Sequence, residues 1–187
     1  MPVLPSWPTA PLWGQFAALL PERPMVDPAH PLRCHRRHIS DRIVFDKLLQ
    51  LLRFGCSYQA IADTTCSATT IRNRRDEWIR LGLFARLKQI ALESYDRIVG
   101  LVLDQVAIDG SISHKGEKAP IQASQRWHIE RTHARQNAFH RLARCYERRA
   151  MAIDAFFDLA NAITIVRSLR RGAWTTHRWD NHPNRRP

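Results

Sequence analysis

Ser57-Tyr58-Gln59-Ala60-Ile61-Ala62-Asp63-Thr64-Thr65-Cys66-Ser67-Ala68-Thr69-Thr70-Ile71-Arg72-Asn73-Arg74-Arg75 decides how the first half of the chain folds. Ser57 and Ser67 each precede a run of helix formers, where a hydroxyl can accept from the N–H groups that a first helical turn leaves unpaired. The spacing predicts a short helix over 57–63, a turn at 64–66 and a longer helix over 68–81 that ends at Gly82. Ile71 and Trp78 fall on its core side, whereas Thr69, Thr70, Arg72, Asn73, Arg74 and Arg75 crowd its first half. Two helices joined by a tight turn, the second rich in Thr, Asn and Arg, make a helix-turn-helix pattern. In that motif the first half of the second helix meets base edges, so these six residues are the candidate DNA-binding side chains. An ordinary helical hairpin fits the same spacing.

Upstream, Ser40 opens a helix that runs to Gly55, with Val44, Leu48, Leu51 and Leu52 in a stripe at 3.6-residue spacing and Gly55 as its C-terminal cap. Before it lies a Pro-rich arm, residues 1–39, around one short helix. Thr9 reads as the N-cap of that helix, Pro11 as part of its first turn, Leu12, Phe16, Leu19 and Leu20 as its apolar face, and Pro21 and Pro24 as its end.

Downstream, Leu83, Leu87, Ile90 and Ala91 predict an amphipathic helix to about residue 95. The apolar run 101–108 reads as a strand and 114–124, with Gly116 and Pro120, as a loop. A helical pattern resumes at Gln125 and passes through Trp127, Ile129, Phe139 and Leu142. A further helix spans 150–171 with Ile153, Phe156, Phe157, Ala160, Ile163 and Val166 on its apolar face, and the Arg/Trp/His/Pro-rich end from Trp174 reads as poorly ordered. These signals divide the chain into an arm (1–39), a helix-turn-helix region (40–97), a third region (98–171) and a basic tail (172–187).

A chain of 187 residues that is 44% hydrophobic can bury a core. Its formal net charge is +12, and residues 110–187, with 15 Lys and Arg against 6 Asp and Glu, hold most of the surplus. Such a surplus favours a polyanion, because each phosphate neutralised by Lys or Arg releases condensed counterions. A solvated basic surface is the plainer reading. Membrane association is disfavoured, since the basic residues are dispersed and the stretch from Met151 to Leu169 is broken by Asp154, Asp158, Asn161 and Arg167. The cysteines, Cys34, Cys56, Cys66 and Cys145, have no CxxC spacing and read as reduced thiols; Cys34-His35 with His38 lacks the second ligand pair that a zinc clip needs.

Three blocks carry a family resemblance. The first runs from Trp13-Gly14-Gln15-Phe16-Ala17-Ala18-Leu19-Leu20-Pro21 to Phe54-Gly55-Cys56-Ser57-Tyr58-Gln59-Ala60-Ile61-Ala62, and the second is Val106-Ala107-Ile108-Asp109-Gly110. The third is Arg126-Trp127-His128-Ile129-Glu130-Arg131-Thr132 with Arg141-Leu142 and Tyr146-Glu147-Arg148-Arg149. In this order they resemble the DNA-binding opening, first catalytic strand and Glu-bearing helix of DDE-type bacterial insertion-sequence transposases. The resemblance implies a mainly α chain: an N-terminal helix-turn-helix region followed by a truncated remnant of a ribonuclease-H-like α/β catalytic domain. It implies Asp109 and Glu130 as catalytic residues and metal ligands, Arg126 as a catalytic residue that touches phosphate or orients Glu130, and Mg2+ as the cofactor of intact relatives.

That chemistry, phosphodiester hydrolysis and strand transfer, needs two Mg2+ ions about 4 Å apart on hard oxygen ligands. The family's middle Asp has no counterpart here, since the one acid between Asp109 and Glu130 is Glu117, beside Lys115 and Lys118. Asn137 and Ala123 also depart from the family's basic residue and Tyr. Asp109-Gly110 equally fits a turn and Glu130 with Arg131 a surface ion pair. The expectation is therefore an internally deleted, catalytically defective transposase that binds the double-stranded DNA of transposon terminal repeats. A helix-turn-helix regulator or inhibitor of transposition and a non-functional remnant are the alternatives. The resemblance further implies a cytoplasmic, nucleoid-associated bacterial protein, and a homo-oligomer or a hetero-oligomer with intact transposase.

Overall fold

α1 spans Ser6–Leu19, α2 Asp41–Phe54, α3 Tyr58–Ile61, α4 Ala68–Arg80, α5 Leu83–Val99, α6 His140–Ala143 and α7 Ala150–Arg178. The computed structural model of the protein describes residues 6–22, 39–99 and 134–178, without the side chains of 6–9 and 172–178, and the described part is mainly α as expected. The expected strand at 101–108, the loop at 114–124 and the helical pattern from Gln125 through Ile129 lie outside the described residues, as do Cys34, His35 and His38.

The sequence signals that set α2 and α4 act as local chemistry requires. Gly55 takes the left-handed conformation at φ 63° and its N–H bonds Leu51 O, which closes α2. Ser57 Oγ accepts from Ala60 N and Ser67 Oγ from Thr70 N, both at 3.2 Å, so each serine caps the helix that follows it. The first of these helices is shorter than expected. It stops at Ile61 because Asp63 turns the chain: Asp63 Oδ1 accepts from Thr65 N at 3.0 Å and Cys66 N at 3.1 Å, and Lys47 Nζ donates to Ile61 O at 2.8 Å and to Asp63 Oδ2. The hydrogen bond from Lys47, then that from the Thr65 hydroxyl, hold the Asp63 carboxyl well below the usual carboxylate range.

Three expectations are corrected. α1 begins at Ser6, so Thr9 lies within it and Pro11 sits inside the helix. That is tolerable because Pro11 forfeits a single backbone bond near the N-terminal end, where N–H groups are already short of partners. The helix expected to pass unbroken through Phe139 and Leu142 is interrupted: residues 134–137 are helical, 138–139 turn, and α6 follows. Finally, α7 runs past Arg171 to Arg178. A glycine at position 172 costs about 1 kcal/mol, too little to stop a helix already nucleated far upstream.

One core joins early and late segments. Phe16 stacks on Phe45 at a ring separation of 4.6 Å, meets Trp78 edge-on at 4.9 Å and lies 5.8 Å from Phe84. α7 packs along α5 and also against α1 and α4. Its buried residues are Ala152, Ala155, Phe156, Leu159, Ala160, Ala162 and Ile163, whereas Ile153, Phe157 and Val166 are half-buried, so the helix is rotated from the expected face. Four alanines on that stripe permit a close approach to α5, which the larger side chains on the expected face would not. Lys88 Nζ donates to Asp158 Oδ1 at 2.6 Å across the same interface. α6 caps the other end: Arg53 Nη1 donates to Ala138 O at 2.5 Å and Arg141 Nη1 to Cys56 O at 2.7 Å.

Candidate nucleic-acid interface

α4 is divided lengthwise by its own periodicity. Ile71 and Trp78 are fully buried, and Trp78 reaches the aromatic cluster around Phe16. Residues three and four apart share a helix face. Thr69, Arg72 and Asn73 accordingly stand together on the exposed side. Thr70 is half-buried, and its hydroxyl lies 2.9 Å from Ser67 Oγ as part of the cap.

The remaining two residues of the candidate cluster are engaged within the fold. Arg74 is ion-paired to Glu77 at 2.7 Å and Asp41 at 3.5 Å, tying α4 to the start of α2. Arg75 is 6% exposed. Its guanidinium pairs with Asp76 at 2.8 Å and Glu147 at 3.1 Å, donates to the Tyr58 hydroxyl and lies over the Tyr58 ring, 5.1 Å from its centre.

Around Arg75 lies a buried polar cluster that sequence reading missed. Glu147 takes hydrogen bonds from four donors on three other residues: the Tyr58 hydroxyl at 3.0 Å, Arg75 Nη1 at 3.1 Å, Arg141 Nε at 3.1 Å and Arg141 Nη2. Arg141 is 5% exposed. The cluster obeys the rule that buried charges persist only when paired and hydrogen-bonded. Burial, opposed by Arg75 and reinforced by Glu147, pushes the Tyr58 phenol up to about 12. Burial alone would lower Arg75, but Tyr58, Asp76 and Glu147 raise it above its ordinary value. A faint signal for the cluster was present: Glu147 is the lone acid in the stretch from Arg141 to Arg149, which also holds Arg144, Tyr146 and Arg148.

This cluster forms the floor of an open cleft of about 800 Å3 between α4 and the segment 141–149. Arg72, Asn73 and Asp76 line one wall, and Tyr146, Arg148 and Arg149 the other. Asp76 is held by Arg75 and, at 3.4 Å, by Arg149, so its charge is compensated on both sides. Asp109, Glu130 and Arg126 lie outside the described residues. Among the described residues no group of three or more His, Cys, Asp or Glu could hold a metal ion, and no helix is long and apolar enough to cross a membrane.

Residues 9–88 match the family described as "Putative transposase of IS4/5 family (DUF4096)". That range contains α2 to α4, most of α1 and the first part of α5, and so covers the capped helices and the candidate cluster. No curated protein and no solved structure matches the chain.

Proposed function

With residues 9–88 matching the IS4/5 type of insertion-sequence transposase, we propose that α3 and α4 form a helix-turn-helix with which the chain binds double-stranded DNA at transposon ends. The observation that carries this reading is the sorting of α4. Ile71 and Trp78 fix one side in the core, while Thr69, Arg72 and Asn73 stand exposed on the other, in the half of the helix nearest the Ser67 cap. Arg can meet guanine and Asn adenine with paired hydrogen bonds in the major groove, and Thr can donate or accept. Arg74 and Arg75 hold the helix in place instead of reading bases. The whole protein is a transposase by descent whose cleavage chemistry is lost. Asp109 and Glu130 are the vestigial ligands for the Mg2+ of intact relatives, Arg126 stands four positions before Glu130 in sequence, and the middle carboxylate is missing.

Replacing Arg72 and Asn73 by Ala should weaken binding to terminal-repeat DNA far more than to random DNA, by roughly 1–3 kcal/mol for each base-edge interaction removed. Fluorescence anisotropy with the two duplexes measures this. Equal weakening on both would reduce the two residues to backbone contacts, and absence of any DNA binding by the wild type would sink the reading.

A further inference from the structure

We propose that the cleft between α4 and the start of α7 seats a DNA backbone phosphate, held by Arg148 and Arg149 across the cleft from the base-reading Arg72 and Asn73. The inference rests on the reading of α4 as the DNA-contacting helix and extends the contact to a segment 60 residues or more further along the chain, beyond the range of the family match.

Charge is the first argument. The cleft is lined by five arginines against two acids, Asp76 and Glu147. Both acids are engaged, Glu147 at the floor by Arg75 and Arg141, and Asp76 on the wall by Arg75 and, at longer range, Arg149. That leaves Arg148 without a counter-charge among the described residues and Arg149 with a distant one. Arg148 is exposed and makes no hydrogen bond or ion pair among the described residues. Arg149 is 76% exposed in its side chain and touches Asp76 only at 3.4 Å. The Arg72 guanidinium carbon lies over the Tyr58 ring, 5.0 Å from its centre. A cation–π contact of this kind fixes Arg72 on the wall that faces Arg148 and Arg149 without using its N–H donors.

The fold supplies a second argument. Arg148 and Arg149 immediately precede Ala150, the first residue of the 29-residue α7, and its first turn holds no acid. Positive side chains at the positive end of a helix oppose the fold. An anion bound by them removes that repulsion, and phosphate is the anion that arginine forks fit best. Asn73 stands on the same rim as Arg72, so a duplex that engages the exposed side of α4 carries its backbone past this cleft.

The test uses the full chain with Arg148→Ala/Arg149→Ala, titrated against terminal-repeat and random duplexes over a range of salt. All three rim arginines are exposed, and a thermal melt of the variant checks that folding is retained. The expected result is a fall in affinity on the order of tenfold, equal on the two DNAs, with the log–log salt slope reduced in magnitude by about 0.9, the value for one phosphate contact. Arg148→Lys/Arg149→Lys keeps both charges and should keep the slope. An unchanged slope and affinity, in a protein that still loses specific binding with Arg72→Ala/Asn73→Ala, would overturn the inference and leave the reading of α4 intact. An effect confined to terminal-repeat DNA would make these arginines base readers and overturn it equally. If the wild type binds no duplex, both the inference and the reading of α4 fall together. Binding of inorganic phosphate without duplex would mark a free-anion site and reject the DNA assignment.

Discussion

Glu147 is the residue on which two distant segments depend. It draws Tyr58 and Arg75 from the N-terminal region to Arg141 near the C-terminal one, and it is mostly out of water. Removing it leaves Arg141 buried without a counter-ion and Arg75 with Asp76 alone. Such uncompensated charge costs about 3–5 kcal/mol. Glu147→Ala should therefore lower the urea-unfolding free energy by about that much, and Glu147→Gln by less, because an amide oxygen still accepts. A drop under about 1 kcal/mol would mean that water replaces the carboxylate and that the cluster is not closed. Tyr58 offers a pH test of the same cluster. Its folded pKa, about 12, exceeds the unfolded value near 10. A raised pKa adds stability that is complete below pH 10 and is lost as pH rises through 12, since the unfolded state releases its proton first. Stability should fall across that window by about 2.7 kcal/mol, and Tyr58→Phe should flatten that fall at the cost of about 1 kcal/mol at neutral pH. A pH profile identical in Tyr58→Phe would show that the phenol ionises freely in the folded protein.

At the scale of elements, the two left-handed glycines separate local strain from tertiary fit. Gly55 and Gly82 have nearly the same φ, 63° and 65°. A Cβ at Gly82 would meet nothing within 4 Å, whereas one at Gly55 would lie 2.9 Å from the His140 backbone carbon and its Cβ. Gly82→Ala should thus cost only the left-handed penalty, about 1–2 kcal/mol, and Gly55→Ala that penalty plus whatever is needed to push α6 away. Equal destabilisation in thermal melts would mean that α6 yields without cost. The contrast also explains what could be read from the chain in advance. Gly55, Ser57 and Ser67 were legible because caps and turns are set by residues within a few positions, and Val44, Leu48, Leu51 and Leu52 because a one-sided helix shows its stripe; all four are fully buried. The rotation of α7 was not legible, because its stripe of alanines has meaning only against α5. Nor was the placement of Arg74 and Arg75 inside the fold, because Asp41 and Glu147, which hold them, lie 33 and 72 positions away in sequence.

For the molecule as a whole, the late segment closes the core of the early one. Leu159 and Ala160 are fully buried in the same cluster as Phe16, Trp78 and Leu87. A chain that keeps α7 against α5 can hold the helices of the proposed DNA-binding region in place whether or not it cuts DNA. Binding and cleavage should accordingly come apart. In-line displacement at a phosphodiester needs two divalent ions clamped on both sides of the scissile bond. The proposed ligands Asp109 and Glu130 would supply two carboxylates where three are required, and Glu117 is flanked in sequence by Lys115 and Lys118, which favour an ion pair over a metal site. Purified protein should shift terminal-repeat DNA in a gel yet fail to nick or join it with Mg2+ or Mn2+. The comparison that decides is wild type against Asp109→Ala and Glu130→Ala on labelled terminal-repeat duplex, with binding measured in the same reactions. Metal-dependent nicking abolished by both substitutions would refute the prediction, and would require the third carboxylate to come from a second chain. Nicking that survives both would trace to a contaminating nuclease, and a bound but intact duplex in all three samples is the expected result.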